Sequence, residues 1–92
     1  MSTLRLQLHY PDMLVPQRAH PKDVGLDLTA MAIEPHNERL FFIDTGVSVK
    51  PPVGYYVEVV ARSSLSKTNF ILAKSVGIID PDYRGQIRLG LR

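Results

Sequence analysis

The chain has 92 residues, of which 45% are apolar and 22% are charged, and its formal net charge at pH 7 is +2. This length predicts one small domain over residues 1–92, for which burial of a sufficient core is difficult and oligomerisation is a natural remedy. The low charge and scattered basic residues disfavour nucleic-acid binding, and no apolar run is long enough for a membrane-spanning helix. Because the chain has no cysteine and no secretory pattern at its N-terminus, we expect it to be cytoplasmic, or to act in the cytosol of a host.

Alternating apolar residues predict short strands along the chain. Residues 4–8 alternate between leucines and polar side chains, which is the period of a half-buried strand. Further strands are predicted over 40–43, 47–49, 55–61, 70–73, 76–79 and 87–91. Prolines interrupt residues 12–22, residues 34–38 predict a turn, and Pro51 to Gly54 give a strong turn signal. About seven short strands with turns between them indicate an all-β sandwich, jelly roll or barrel.

The stretch from Val76 to Gly85 gathers three functional groups at one predicted turn. Its apolar, β-branched run leads to Asp80, and Pro81 forces a turn directly afterwards. Tyr83 and Arg84 are then expected near Asp80, at the tip of a hairpin. Ordinary Pro-Asp turn chemistry explains the same residues without any function, and this alternative stays open on the stretch alone.

A cluster of hydroxyls and cations follows the predicted strand that ends near residue 61. It reads Arg62-Ser63-Ser64-Leu65-Ser66-Lys67. Ser63 or Ser64 can cap a short helical turn, and hydroxyls, backbone N–H groups and two cations together suit a phosphate. A serine-capped turn with solvated basic residues is the alternative interpretation.

Asp27 and Asp80 are the carboxylates most constrained by their neighbours. Asp27 lies between Leu26 and Leu28, two positions after Gly25, which widens the choice of backbone conformation. One carboxylate can act as a general base through water, and both can help to place a divalent ion that phosphate oxygens and water also bind. Acceptance of hydrogen bonds from turn N–H groups is the alternative. The three histidines are scattered without ligand spacing, which disfavours a zinc site.

Three stretches resemble, in the same order, the first three sequence motifs of the trimeric dUTP pyrophosphatases. They are Gly25-Leu-Asp27-Leu-Thr-Ala30, Arg62-Ser63-Ser64-Leu-Ser-Lys67 and Gly77-Ile-Ile-Asp80-Pro-Asp-Tyr83-Arg-Gly85. The resemblance covers about residues 4 to 91. It implies an all-β, jelly-roll-like dUTPase fold that assembles as a homotrimer, with its sites between subunits.

The resemblance also implies a reaction and the residues that carry it. The reaction converts dUTP and water to dUMP and pyrophosphate with Mg²⁺, and Asp80 orients or deprotonates the water that attacks the α-phosphorus. Tyr83 packs against the deoxyribose and excludes a 2′-hydroxyl, and Asp27 acts through the water shell of Mg²⁺. The implied phosphate ligands are Arg62, Ser63 and Ser64. The implied uracil pocket is lined by Ser75, Val76, Gly77 and Ile78, largely through backbone groups. Lys74 stands where many members have an asparagine that helps to read uracil.

The sequence ends before the family's fourth and fifth motifs. The fourth brings polar groups to the phosphates, and the fifth is a mobile glycine-rich tail with an arginine, so the resemblance is to an incomplete, N-terminal portion of the fold with an unpaired edge. Three explanations for the missing motifs stay open. A separate chain supplies motifs 4 and 5, or the sequence is a fragment, or the protein is a non-catalytic module that binds a nucleotide or another protein. The dCTP deaminases are similar in fold and in the Arg-Ser-Ser stretch, but Gly90 stands near the place of their catalytic glutamate and cannot transfer a proton.

Overall fold

The computed structural model describes residues 3–62, 65, 67–68, 70–73 and 76–92. Seven short strands lie in these ranges. They are β1 (Arg5–Leu8), β2 (Ala32–Pro35), β3 (Phe41–Asp44), β4 (Val47–Lys50), β5 (Val57–Val60), β6 (Val76–Ile79) and β7 (Arg88–Leu91). The described residues contain no α-helix, and so none that is long and apolar enough to cross a membrane. The all-β prediction is confirmed.

The strands of the described ranges form three small antiparallel sheets. β1 pairs with β4, β5 pairs with β6, and β3 lies between β2 and β7. Ile87 connects two of these sheets, because its N–H donates to the carbonyl of Val47 at 2.8 Å and its carbonyl accepts from the N–H of Thr45 at 3.1 Å. This connection holds the start of β7 against the turn between β3 and β4.

A small apolar core lies between the sheets. Its buried members are Val47, Val49, Val59 and Ile87. Val47 and Ile87 are each 1% exposed, and the buried hydroxyl of Thr45 donates to the Ile87 carbonyl at 2.8 Å. Inward-facing side chains of β4 and β5 supply most of this core, as the alternation of their sequences predicts.

Two segments differ from the prediction. Residues 34–38 were expected to form a turn, but β2 extends to Pro35, which a strand at the edge of a sheet accommodates because no partner needs its missing N–H. The turn follows, where the side-chain oxygen of Asn37 accepts hydrogen bonds from the N–H groups of Arg39 and Leu40. The predicted strand over 70–73 is reduced to a single bridge opposite β7.

The predicted hairpin around Asp80 is wrong. β6 pairs with β5 and β7 pairs with β3, so the two strands that flank this turn belong to different sheets. Two alternating runs with a turn between them are the usual signal of a hairpin, but here each run finds a partner that is distant in sequence. The turn carrying Asp80 and Tyr83 therefore crosses from one sheet to another.

Candidate functional site

Asp27 and Arg62 are 35 positions apart in sequence and form an ion pair. The Arg62 Nη1 atom donates to Asp27 Oδ2 at 3.1 Å. The backbone N–H of Asp27 donates to the carbonyl of Gln17 at 2.9 Å, which fixes Asp27 against the preceding loop. The side chains of Asp27 and Arg62 are 36% and 62% exposed. The pair is therefore hydrated, and a ligand in solution can reach both partners.

Arg62 occupies the point where the chain leaves β5 and begins to turn. Its carbonyl accepts from the N–H of Leu65 at 3.0 Å, and the carbonyl of Leu65 accepts from the N–H of Thr68 at the same distance. Two such consecutive turns agree with the short helical turn that the sequence predicted here. The cap and phosphate roles of Ser63 and Ser64 fall outside the described residues.

A cavity of about 610 Å³ opens beside the ion pair. Most of its lining is apolar. Its charged or polar lining side chains are those of Arg18, Asp27, Glu58, Arg62 and Thr68. Asp80 and Tyr83 do not line this cavity, so it is not a pocket that collects all the predicted site residues.

Asp80 directly follows β6 at the start of a tight turn. The N–H of Tyr83 donates to the Asp80 carbonyl at 3.0 Å, which closes this turn. Asp80 is exposed, and its carboxylate makes no hydrogen bond or ion pair within the described part of the chain. A carboxylate that is held by a closed turn and open to solvent can accept a proton from an ordered water.

Tyr83 folds back over its own turn. Its hydroxyl donates to the carbonyl of Gln86 at 2.8 Å, and the ring then lies over Gly85. A Cβ atom at Gly85 would lie 2.5 Å from the Tyr83 hydroxyl oxygen and 2.7 Å from Cζ, closer than real Cβ contacts. Glycine is therefore needed here to make room for the ring, and the 44% exposure of Tyr83 leaves aromatic surface for a ligand.

Arg84 contacts the backbone of the turn and not the carboxylate of Asp80. Its Nη1 atom donates to the Pro81 carbonyl at 2.5 Å and to the Tyr83 carbonyl at 3.2 Å. The guanidinium thus satisfies turn carbonyls. This arrangement stabilises the turn and leaves the Asp80 carboxylate without a cationic partner among the described residues.

Gln86 links the turn to Gly46, and no sequence motif singles it out. Its carbonyl accepts from Tyr83, and its side-chain Oε1 accepts from the N–H of Gly46 at 2.6 Å. Gly46 lies between β3 and β4 at a φ of +74°. A glutamine in an exposed turn carries no motif signal, because its partner is 40 positions away.

The residues expected to line the uracil pocket lie on or next to β6. Val76, Gly77 and Ile78 belong to this strand, Gly77 packs opposite Val59 of β5, and Ile78 is 63% exposed on the outer face. Within the described ranges β6 has one partner strand, so its other edge offers backbone N–H and carbonyl groups to a base. Their role stays a prediction. The expectations for Lys74 and Ser75 lie outside the described residues.

The predicted site residues form two separate groups. Asp27 contacts Arg62, and Asp80 shares a turn with Tyr83. No hydrogen bond or ion pair among the described residues joins one group to the other. The described residues of one chain therefore do not bring the predicted site residues into one group.

A hydrated, phosphate-bound divalent ion at this site stays a prediction. Across the described residues, no three His, Asp or Glu side chains lie close enough together to hold a metal. Mg²⁺ commonly keeps several waters and binds through one or two carboxylates together with substrate phosphates. Asp27 suits that mode, since its second oxygen has no protein donor within the described part of the chain.

The dUTPase family model matches residues 12–91 of this chain. The chain is 37% identical over 98 residues to the deoxyuridine 5′-triphosphate nucleotidohydrolase of Escherichia phage T5, an alignment that covers 96% of this chain and 64% of that protein. It is 38% identical over 85 residues to the protein of the same name from Rhodococcus erythropolis, covering 88% of this chain and 51% of that one. The chain thus spans about half to two thirds of the length of these curated relatives.

Solved dUTPase structures superpose on nearly the whole chain. A variant of the dUTPase from phage phi11 of S. aureus, described with a structural Mg(II) ion, gives a TM-score of 0.81 at 29% identity, covering 98% of this chain and 59% of its own. A variant of the Staphylococcus bacteriophage 80alpha dUTPase with dUpNHpp gives 0.79 at 29% identity, covering 97% and 53%. These structures confirm the dUTPase-like fold. The comparisons give no support for a separate chain that supplies motifs 4 and 5.

Proposed function

The chain belongs to the dUTPase family, and we propose that it forms the site at which dUTP is hydrolysed to dUMP and pyrophosphate. Two solvent-accessible sets of polar residues lie where the family motifs occur, and this observation supports the proposal. One is the Asp27 and Arg62 ion pair. The other is the exposed turn that carries Asp80 and Tyr83.

In this proposal Asp80 acts as the general base. Its carboxylate accepts a proton from a bound water, whose oxygen forms a bond to the α-phosphorus of dUTP. The bond from the α-phosphorus to the oxygen that bridges it to the β-phosphorus breaks, and pyrophosphate leaves with those electrons. The Asp80 carboxylate has no cationic partner among the described residues, which leaves it free to accept a proton.

The phosphates are held by donors at the end of β5. Arg62 offers a guanidinium that is 62% exposed, and charge-assisted hydrogen bonds to phosphate oxygens are among the stronger polar contacts in proteins. Ser63 and Ser64 add hydroxyl donors in this proposal. Asp27 would help to hold a Mg²⁺ ion through water, and the ion would supply charge neutralisation.

Selection of a deoxyuridine nucleotide is assigned to Tyr83 and β6. The hydrogen bond from the Tyr83 hydroxyl to Gln86 fixes the ring over its turn. In this proposal the deoxyribose packs on the exposed aromatic surface, and the ring excludes a 2′-hydroxyl. Uracil is read by backbone groups from Ser75 to Ile78, of which those of Val76, Gly77 and Ile78 belong to β6. Lys74 can only donate hydrogen bonds, so it suits the carbonyl oxygens of uracil.

A homotrimer with sites between subunits accounts for the separation of the two groups. In one chain Asp27 and Arg62 do not contact the turn of Asp80 and Tyr83 within the described residues. A neighbouring subunit can present its own turn to the ion pair, and a nucleotide between them then contacts both groups. A chain of 92 residues also gains buried apolar area by association.

The test is pyrophosphate release by the purified 92-residue chain with Mg²⁺, using dUTP beside dCTP, dTTP and UTP. We expect release from dUTP alone, no release from dUTP by Asp80→Asn, and retained dUTP binding by that variant. Asp82→Asn is the matched control, since Asp82 lies on the same exposed turn, and it is expected to keep the wild-type rate. Equal release from all four nucleotides, or wild-type release by Asp80→Asn, would refute the proposal.

A nucleotide-binding module without turnover is the second candidate. It is favoured by the accessible ion pair of Asp27 and Arg62, whose guanidinium can hold phosphates without any catalytic step. This candidate predicts saturable dUTP binding that Arg62→Gln weakens, with no pyrophosphate release. The same assay therefore separates the two functions.

A further inference from the structure

A hydrogen bond ties the ring of Tyr83 to the residue at which its turn enters the core. The Tyr83 hydroxyl donates to the backbone carbonyl of Gln86 at 2.8 Å. Residues 80–85 are all exposed, whereas Gln86 is half-buried and Ile87 is 1% exposed. The position of the ring therefore depends on how firmly Gln86 is held.

Within the described residues, Gln86 is held at two points. In the trans peptide that joins it to Ile87, the carbonyl and the N–H point in opposite directions. The N–H of Ile87 donates to the Val47 carbonyl at 2.8 Å, so the Gln86 carbonyl points the other way, where it accepts from the Tyr83 hydroxyl. The second point is the Gln86 side chain, whose Oε1 accepts from the N–H of Gly46 at 2.6 Å. A residue held at one point can rotate about it, whereas a second point stops that rotation.

Gly46 is a fixed anchor for the Gln86 side chain. It lies between β3 and β4 at a φ of +74°, and its carbonyl accepts from the N–H of His9 at 2.8 Å. A Cβ atom at this position would lie 2.7 Å from a ring carbon of Tyr10 and 3.0 Å from the sulfur of Met13, so both side chains pack directly against the glycine backbone. The N–H that Gln86 accepts from therefore has little room to move.

We propose that Gln86 is a positioning residue for Tyr83, and that its side chain makes the site prefer deoxyribose to ribose. The proposal rests on the proposed function, in which the Tyr83 ring packs on the sugar. Exclusion of a 2′-hydroxyl requires a ring that stays in place, because a ring that moves away makes room for the larger sugar. Binding sites generally hold such groups to within about 0.5 Å through packing and supporting hydrogen bonds. The bond from Gly46 to Gln86 supplies this support to the carbonyl that fixes the ring.

The ratio of the UMP dissociation constant to that of dUMP, measured on the full chain, tests the proposal without turnover. Gln86→Met keeps the length of the side chain and removes its acceptor, and we expect it to lower this ratio by about fivefold, as for the loss of one hydrogen bond. A merely structural defect weakens both nucleotides equally and leaves the ratio unchanged. Gln86→Glu keeps a side-chain oxygen that can accept from Gly46, and it should retain the wild-type ratio.

Asn37→Leu is the matched control for Gln86→Met. The side-chain oxygen of Asn37 also accepts from backbone N–H groups, those of Arg39 and Leu40, but in the turn between β2 and β3. We expect this variant to keep the wild-type ratio of dissociation constants. A loss of selectivity equal to that of Gln86→Met would show that any weakened turn has the same effect, and would overturn the proposal.

Tyr83→Phe tests whether Gln86 acts through the tyrosine hydroxyl. This variant keeps the ring and the bond from Gly46 to Gln86, and it should lower the ratio of dissociation constants by itself. Adding Gln86→Met should then change the ratio no further, because both substitutions break the same connection. Additive effects of the two substitutions would overturn the proposal. An unchanged ratio in Tyr83→Phe would also overturn it, even if Gln86→Met fails to fold.

The carbon NMR signals of isotope-labelled tyrosine rings give a test that needs no nucleotide. The signal that disappears in Tyr83→Phe belongs to Tyr83. Gln86→Met should move this signal toward that of free tyrosine and leave those of Tyr55 and Tyr56 in place, and an unmoved Tyr83 signal would overturn the proposal. If neither UMP nor dUMP binds the wild type, the proposed function fails and the selectivity fails with it. The ring signal then still decides whether Gln86 holds Tyr83.

Discussion

Replacement of Asp27 by asparagine keeps the shape of the side chain and removes the charge that pairs with Arg62. The two groups are 3.1 Å apart, and their side chains are 36% and 62% exposed. Two unit charges at about 4 Å in water attract each other by about 1 kcal/mol, and exposed ion pairs contribute about 0.2–1 kcal/mol when measured. We therefore expect the coupling free energy between Asp27 and Arg62 in unfolding to stay below about 1 kcal/mol.

Nucleotide binding should respond to these substitutions more strongly than folding does. A hydrogen bond to a charged group contributes roughly 1.5–3 kcal/mol, so Arg62→Gln is expected to weaken dUTP binding by about tenfold or more. The assay is urea unfolding and dUTP titration of the wild type, Asp27→Asn, Arg62→Gln and the double variant. Their unfolding free energies yield the coupling.

Glu34→Gln is the matched control for Asp27→Asn. Glu34 pairs with Arg88 at 2.9 Å, also at the surface, with side-chain exposures of 70% and 45%. We expect a similarly small change in stability and no change in dUTP affinity. A coupling above about 2 kcal/mol between Asp27 and Arg62, or equal loss of dUTP affinity in Glu34→Gln, would refute the reasoning, since the pair would then be structural or the effect non-local.

Gly85→Ala should displace the Tyr83 ring and lower dUTP turnover while costing about 1 kcal/mol of unfolding free energy; unchanged turnover would contradict the packing seen here. Gly46→Ala should lower that free energy by about 1–3 kcal/mol in urea, because its φ is +74° and its Cβ would meet a tyrosine ring at 2.7 Å. The hydrogen bond and charge of Glu58 raise the pKa of Tyr56. These two interactions therefore stabilise the folded state fully at a pH below the ordinary tyrosine pKa. That stabilisation is lost as the pH rises through the raised pKa of Tyr56. Glu58→Gln should lower that pKa in an absorbance titration, and an unchanged value would refute the assignment.

Local signals predicted the parts of the fold that depend on local chemistry. The alternation of residues 4–8 gives β1. The Pro-Pro-Val-Gly stretch gives a turn in which Gly54 has a φ of +88° and the N–H of Tyr55 donates to the carbonyl of Pro52 at 3.1 Å. In both places neighbouring residues determine the backbone, so the sequence was sufficient.

Strand pairing was the part that the sequence could not provide. The run after Asp80 reads as the second strand of a hairpin, but β7 pairs with β3, more than forty positions earlier. The strand β2 was also not predicted, because Pro35 indicated a turn. A proline is tolerated in a strand at the edge of a sheet, and the sequence does not show which strand lies at the edge. Both errors concern partners that lie far apart along the chain.

The same contrast between local sequence signals and long-range contacts applies to the candidate site. The family motifs predict functional roles for Asp27, Arg62, Asp80 and Tyr83, and these roles stay predictions. The ion pair between the first two is a contact across 35 positions, which no motif shows. Gln86 was missed because its side chain accepts a hydrogen bond from Gly46, which lies 40 positions away. Motif chemistry thus predicted candidate residues, and the fold was needed to learn which of them touch.

Hydrolysis of dUTP in water labelled with heavy oxygen tests the central claim most directly. The full chain is incubated with dUTP and Mg²⁺ in the labelled water, and the masses of the products are measured by mass spectrometry. Attack at the α-phosphorus with Asp80 as base predicts one labelled oxygen in dUMP, none in pyrophosphate, and no labelled dUMP from Asp80→Asn. Label in the pyrophosphate, or labelled dUMP formed by Asp80→Asn at the wild-type rate, would contradict the account.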